Sequence, residues 1–206
     1  MPADGHAVPH GAGVEAVFET ARAAGLAPGV GMFLFCRHGQ TAGNASRVFQ
    51  HPQDPLDAEG HAQAARAAAK MAATARASRL LASDMARAWL TAGHVASATG
   101  LAAVAAPGLR ERGFGQLVGT SSAAFDWRIN PPGGETLTSF VQRTAAALGA
   151  ALGEGEMPLL VAHGGTLLVL AGALGVRLEP AMRANAMPLL FRRAGAAWEA
   201  VALVTP

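Results

Sequence analysis

The sequence has one cysteine and one lysine among its 206 residues, and its basic residues form no long run. A single cysteine, Cys36, excludes an intramolecular disulfide and suits a reducing compartment. Because Cys36 lies within an apolar run, we expect a packed thiol rather than a reactive one. The net charge is only +2 and the arginines are scattered, which argues against a nucleic-acid or membrane-binding surface.

We also expect no export signal in the segment that most resembles one. The apolar segment 30–36 is too short to cross a bilayer. It follows Asp4, Glu15 and Glu19 instead of the basic start of a signal peptide. We therefore expect a cytoplasmic protein. No repeat of fixed period occurs, and a chain of this length fits one domain with a full core.

Apolar runs alternate with helix signals along the chain, which predicts an α/β fold. We expect residues 1–31 to form an N-terminal extension, with a flexible tail and a short helix at 14–24. Residues 32–206 are expected to form one domain. His6 and His10 in the tail could pair on a metal ion, although a flexible tail is the preferred interpretation.

The elements of this domain can be placed from the apolar runs and the turn residues that flank them. The predicted strands are 33–36, 79–83, 101–106 and 158–162, with a C-terminal hairpin of 189–193 and 198–204. The predicted helices are 58–77 capped by Asp57, 84–98 capped by Asp84, 135–152, and a last one that ends near residue 174.

Chemically distinctive residues follow the ends of these strands. Arg37 and His38 end the first strand, Arg87 lies in the helix after the second, and His163 follows the fourth. Glu111 lies in a glycine-rich loop after the third strand. Ligands of open α/β sheets bind beyond the carboxyl ends of the strands, so we expect these side chains to share one site.

These residue types suit the binding of a phosphoryl group. Arginine forks pair with phosphate oxygens, so Arg37 and Arg87 would clamp the group. His163 would add a hydrogen-bond donor. Gly164 next to it is expected to contact the substrate, and helix N-termini would add oriented backbone amides.

Two further roles complete the predicted reaction. His38 would attack phosphorus and form a phosphohistidine. Glu111 would protonate the leaving alcohol and then accept a proton from water. Glu135, in a Pro-Gly-Gly-Glu turn, is an alternative proton donor or a supporting residue.

Several other polar residues have less defined roles. Thr41 and Asn44 could bind phosphate oxygens or only brace their loop. Gln50 could reach the substrate or face water. Arg112 could line the mouth of the pocket or be solvated, and Gln63 is expected at the surface.

The order of these motifs resembles the histidine phosphatase superfamily, also called the phosphoglycerate mutase-like family. Residues 37–44 are similar to its RHG-x-T-x-x-N signature. Four further blocks also resemble those of the family. They are residues 54–64, 83–92 with the second arginine, 109–119 with the acid, and 161–165 with the second histidine. The resemblance implies a three-layer sandwich, a mainly parallel sheet flanked by helices, with a phosphorylated first histidine and no metal or cofactor.

A phosphatase that acts on a small phosphorylated metabolite is the favoured function. A phosphoglycerate mutase is the main alternative, and it would need additional basic side chains to hold a second anionic group. Only Arg128 and Arg143 are basic between residues 120 and 162, which is few for a mutase. A non-catalytic member that binds phosphorylated ligands is a third alternative. The sequence leaves the oligomeric state open, a homodimer included.

Overall fold

The computed structural model describes residues 12–74, 77–155 and 157–203. The strands are β1 (Met32–Arg37), β2 (Arg79–Ala82), β3 (Ala103–Ala105), β4 (Pro158–Ala162), β5 (Pro188–Ala194) and β6 (Ala197–Ala202). The helices are α1 (Val14–Ala24), α2 (Ala42–Ser46), α3 (Ala58–Thr74), α4 (Ala86–Thr99), α5 (Leu137–Ala151) and α6 (Gly164–Leu174). The tail that contains His6 and His10 lies outside the described residues.

The strands form one six-stranded sheet in the order β3-β2-β4-β1-β5-β6. Strands β3, β2, β4 and β1 run parallel, whereas β5 is antiparallel to β1 and β6 is antiparallel to β5. The carboxyl ends of β1, β2 and β4 therefore lie side by side at one edge of the sheet. The predicted strands and C-terminal hairpin are confirmed, although the third strand is shorter than expected.

Alternate residues of β1 face opposite sides of the sheet, as the pleat of a strand requires. Phe33 and Phe35 join a core with α1, α5 and α6, while Leu34 and Cys36 join a second core with α3 and α4. Both faces of the sheet are thus covered by helices, which confirms the predicted three-layer sandwich. Burial raises the pKa of the Cys36 thiol to about 12, in agreement with a packed and unreactive cysteine.

Helix α1 contributes to the first of these cores. Val14, Val17 and Ala21 are buried, and α1 packs on α5 and α6. Gly172 of α6 makes the close approach feasible, since a side chain there would collide with Phe18. The division of the chain at residue 31 remains a prediction. No helix within the described ranges is long and apolar enough to span a bilayer.

The two predicted helix caps have different outcomes. The Asp57 carboxylate accepts a hydrogen bond of 2.7 Å from the Gly60 amide and caps α3 as predicted. The prediction for Asp84 was wrong, because α4 begins only at Ala86. Both carboxylate oxygens of Asp84 instead accept hydrogen bonds from the Arg110 guanidinium. The carboxylate that was expected to cap the helix is therefore bound to Arg110.

Candidate active site

Strand β1 delivers His38 to the carboxyl edge of the sheet. The His38 amide still donates to the Ala162 carbonyl of β4, at 2.9 Å, so the functional loop starts where the parallel pairing ends. The His38 Nδ1 atom lies 2.7 Å from the carbonyl oxygen of Gly39. Since a carbonyl only accepts, Nδ1 carries the proton and the lone pair of Nε2 is free.

His163 lies directly behind His38, at the start of α6. The two rings are 5.1 Å apart between centroids, and both side chains are buried. The Nε2 atom of His163 lies 2.8 Å from the Ser83 hydroxyl oxygen, at the end of β2. The Nδ1 atom of His163 has no hydrogen-bond partner among the described residues. Ser83 therefore fixes this ring, a contact that nothing in the sequence indicates beyond the family motif.

Arg37 and Arg87 each use only part of their guanidinium group within the protein. Arg37 donates to the carbonyl of Arg183 at 2.6 Å, and Arg87 donates to the carbonyl of His51 at 3.1 Å. The Nε atoms of Arg37 and Arg87 are buried without a partner among the described residues. Buried donors are normally hydrogen-bonded, so this arrangement is suited to an anion.

The positive charge of the site acts on both histidines. Burial, and after it the charges of Arg37 and Arg87, hold the pKa of His38 well below its usual range. Burial also lowers the pKa of His163 well below its usual range, together with the neighbouring His38, Arg87 and Arg37. Both rings are therefore neutral near pH 7, which leaves the His38 Nε2 lone pair available.

Glu111 is held against the first turn of α6. Its two carboxylate oxygens accept hydrogen bonds of 2.9 Å from the backbone amides of Arg112 and Gly165. A side chain at Gly165 would collide with the Glu111 carboxylate and the Trp127 ring, so this approach requires glycine.

A cavity of about 550 Å³ opens above these residues. Six of the residues selected from the sequence line it: Arg37, His38, Asn44, Gln50, Arg87 and Glu111. Three others do not line it. Thr41 is buried and caps α2 through the Asn44 amide, His163 lies behind His38, and Gly164 packs against Arg37.

Comparison with known proteins decides the family. Residues 33–190 match the family model of the histidine phosphatase superfamily (branch 1). The chain belongs to the histidine phosphatase superfamily. Two relatives carry the name probable phosphoglycerate mutase GpmB. The protein of Enterobacter sp. (strain 638) is 37% identical over 145 residues, which are 62% of this chain and 67% of the relative. That of Yersinia enterocolitica is 36% identical over 155 residues, or 67% and 72% of the two chains.

Solved structures of the superfamily show the same fold. A mycobacterial glucosyl-3-phosphoglycerate phosphatase in complex with VO3 is 27% identical, with a TM-score of 0.65 over 84% of this chain and 97% of that one. A phosphoglycerate mutase from Thermus thermophilus is 28% identical, with a TM-score of 0.65 over 85% and 99%. The superfamily and these relatives indicate a phosphatase or phosphomutase enzyme, without distinguishing the two.

Glu135, the alternative proton donor, does not line the cavity of this superfamily member. It forms an ion pair with Arg143 at 2.7 Å and accepts a hydrogen bond of 2.8 Å from the Gly113 amide. Partial burial acts to raise the pKa of Glu135, but the hydrogen bonds from Arg143 and Gly113 outweigh it and lower the pKa. This geometry favours a supporting role for Glu135 next to the loop of Glu111.

The structure also tests the expectations for Arg112 and Gln63. Arg112 lines the cavity, as one of its two alternatives predicted. The solvated alternative is wrong, because the side chain is almost fully buried and its guanidinium donates to the carbonyls of Trp127, Ile129 and Glu135. Gln63 is not a plain surface residue, because its side-chain oxygen accepts a hydrogen bond of 2.9 Å from the amide of Gln40.

Asn185, which precedes β5, was not anticipated from the sequence. Its side-chain nitrogen donates to the His38 carbonyl at 3.1 Å and to the Asn44 side-chain oxygen at 3.0 Å. The next residue, Ala186, has a φ of 49° and donates its amide to the carbonyls of Arg37 and His38. This segment therefore supports the His38 loop from behind. No group of three or more His, Cys, Asp or Glu side chains converges on a metal-sized site within the described residues.

Proposed function

We propose that the protein is a phosphatase that hydrolyses a small phosphomonoester through a phosphohistidine on His38. The observation that carries this proposal is the set of unpartnered buried nitrogens next to His38. Within the described residues, the Nε atoms of Arg37 and Arg87 at the cavity and the Nδ1 atom of His163 behind His38 have no hydrogen-bond partner, and the two arginines would donate to a bound phosphoryl group. The cytoplasmic location and the independence from metals, which the sequence and the family resemblance imply, belong to the same proposal.

In the first step, the His38 Nε2 lone pair attacks phosphorus, and the bond from phosphorus to the ester oxygen breaks. The guanidinium groups of Arg37 and Arg87 neutralise the transferring group. Protonated Glu111 gives its proton to the leaving alcohol. The depressed pKa of His38 supports this role, because a protonated ring could not attack.

In the second step, water attacks the phosphorus of the phosphohistidine. The Glu111 carboxylate takes a proton from this water as the nitrogen–phosphorus bond breaks. Inorganic phosphate leaves, His38 regains its neutral form and Glu111 is again protonated. Two steps through a covalent intermediate thus return every group to its starting state.

A phosphomutase is the second candidate, because several relatives carry the name phosphoglycerate mutase. A phosphoglycerate needs a cation for its carboxylate as well as for its phosphate. Among the arginines that line the cavity, Arg37 and Arg87 serve the phosphoryl group and Arg112 is bonded to carbonyls. Within the described residues, Arg47 is the one lining arginine left for a carboxylate, and a single exposed arginine is few for a mutase, which favours the phosphatase.

The purified protein should hydrolyse p-nitrophenyl phosphate and alkyl phosphates, and EDTA should not change the rate. The variant His38→Ala should lose turnover and should form no acid-labile phosphohistidine.

The variant Glu111→Gln should lose more activity on alkyl phosphates than on p-nitrophenyl phosphate, because nitrophenolate leaves without a proton. Equal losses on both would contradict the acid role of Glu111. Interconversion of 2- and 3-phosphoglycerate with a bisphosphate primer would identify a mutase instead.

A further inference from the structure

We propose that the substrate carries one phosphomonoester on an apolar or aromatic group and has no second anionic group. This inference rests on the proposed phosphatase function and concerns the part of the cavity beyond the reacting residues. Side chains of three segments far apart in the sequence form that part. The apolar side chains in it include Phe49, Met85, Phe114 and Val118, and we refer to these four as the apolar wall.

The aromatic members of the apolar wall belong to a packed cluster. The Phe49 and Phe114 rings are 4.3 Å apart, and the Phe125 ring meets both edge-on at 5.1 and 5.4 Å. Trp127 connects this cluster to Phe140 in the protein core, with ring centroids 6.2 Å apart. The rings are thus fixed before a ligand enters, so an apolar group can bind without the cost of ordering them.

Arg112 anchors the same cluster from below. Its guanidinium carbon lies 5.8 Å from the centre of the Phe125 ring, while its nitrogens donate to the carbonyls of Trp127 and Ile129. The charge of Arg112 therefore holds the aromatic loop in place. A second phosphate or a carboxylate at the apolar wall would meet rings there and lose hydration, and Arg47, the lining arginine that remains among the described residues, is exposed.

The backbone beside the apolar wall has few polar groups to offer. The amide of Phe49 donates to the Thr120 carbonyl at 2.9 Å, and the carbonyl of Phe49 accepts from the Gly119 amide at 2.8 Å. Val48 and Ser121 form an isolated antiparallel bridge next to this pair. Because these groups bond to each other, this stretch of backbone offers a sugar or another polyol little compensation for its lost water.

The test is a series of ethyl, butyl, hexyl and benzyl phosphates, whose alcohols have similar basicity, compared with glycerol 3-phosphate and 3-phosphoglycerate. We expect kcat/KM to rise two- to about fourfold for each methylene that enters the cavity. Benzyl phosphate should exceed ethyl phosphate, and 3-phosphoglycerate should be among the poorest substrates. A rate that is independent of chain length, or a preference for 3-phosphoglycerate, would overturn the inference.

Two variants assign the preference to the apolar wall. Phe114→Ala and the milder Val118→Ser should each reduce the ratio of hexyl to ethyl phosphate kcat/KM about threefold or more. The matched control is Val104→Ser, at an exposed valine of β3 that does not line the cavity, and its ratio should equal that of the wild type. Unchanged ratios in both wall variants would contradict the proposal.

Binding of alkylphosphonates separates this inference from the proposed function, since phosphonates cannot be hydrolysed. Calorimetry should show hexylphosphonate binding more tightly than methylphosphonate. If this preference is found without turnover of any ester, the apolar pocket stands and the phosphatase proposal fails. If all esters are hydrolysed at similar rates and the two phosphonates bind equally, the phosphatase stands and the apolar pocket fails.

Discussion

Asn185 supports His38, which carries the reacting nitrogen, and Asn44, which lines the same cavity. Its side-chain nitrogen donates to the His38 carbonyl and to the Asn44 side-chain oxygen. Because the oxygen of the Asn44 amide is held in this way, its nitrogen is the part left to face the cavity. Asn185 does not line the cavity, so any effect on the reaction is one of positioning.

Asn185→Ala should therefore lower kcat by about 10- to 100-fold with a smaller change in KM, since a small displacement of a reacting group is costly. Steady-state kinetics on p-nitrophenyl phosphate measure this. Asn185→Asp keeps the shape but turns acceptors towards carbonyls, and it should be at least as impaired. Wild-type kcat in the aspartate variant would show that only packing matters. Gln142→Ala, at an exposed amide of α5 away from the cavity, serves as control.

The two buried histidines should also make stability depend on pH. Their pKa values in the folded protein lie well below the value of about 6.5 that the unfolded chain has. Below pH 6.5 or so the unfolded chain binds protons that the folded protein does not, so the free energy of unfolding falls. The free energy of unfolding has its full value above that pH, and it decreases as the pH falls towards the lowered pKa values of the folded protein.

Urea unfolding near pH 7.5 and near pH 5.5 measures this loss. His163→Gln should lose less stability between the two pH values than the wild type, because one of the two groups no longer titrates. His51→Gln replaces an exposed ring and should behave like the wild type. An equal loss in wild type and His163→Gln would show that this histidine titrates normally in the folded protein.

At the scale of single elements, the first turn of α6 brings the site together. His163 is its N-cap, Gly164 packs against the Arg37 side chain, and the Gly165 amide donates to Glu111. The strand-His-Gly pattern predicts the start of this helix. It does not predict that Glu111, more than fifty residues earlier in the sequence, binds there, because that contact depends on how α6 packs against the loop after β3.

Gly165→Ala tests this element. The added methyl group would displace the Glu111 carboxylate or the Trp127 ring, so kcat/KM should fall by at least about tenfold. Gly93→Ala is a matched control inside α4, where a side chain meets nothing within 4 Å. That control should keep its activity and gain about 0.5–1 kcal/mol of stability from its better helix propensity. Equal activity of the two variants would contradict the contact with Glu111.

At the scale of the whole molecule, the features that the sequence predicts are those that depend only on a short segment of the chain. Arg37 and His38 follow an apolar strand, and that local pattern was sufficient to place them at the edge of the sheet. Arg112 shows the opposite case, since arginine is normally exposed. Its burial depends on three carbonyls that a distant loop supplies. Asn185 likewise acquires its role only when β5 pairs with β1.

Helix α1 lies outside the residues that match the family, yet it packs on α5 and α6. If this packing is part of the fold, a charge at the fully buried Val17 should be strongly unfavourable. Val17→Asp should lower the free energy of unfolding by at least about 2 kcal/mol, measured by urea denaturation. Exposed Glu19→Ala on the same helix should change it by no more than about 0.5 kcal/mol. Equal midpoints for both variants would mean that α1 is a separable extension, because its detachment would then leave the cooperative unit intact.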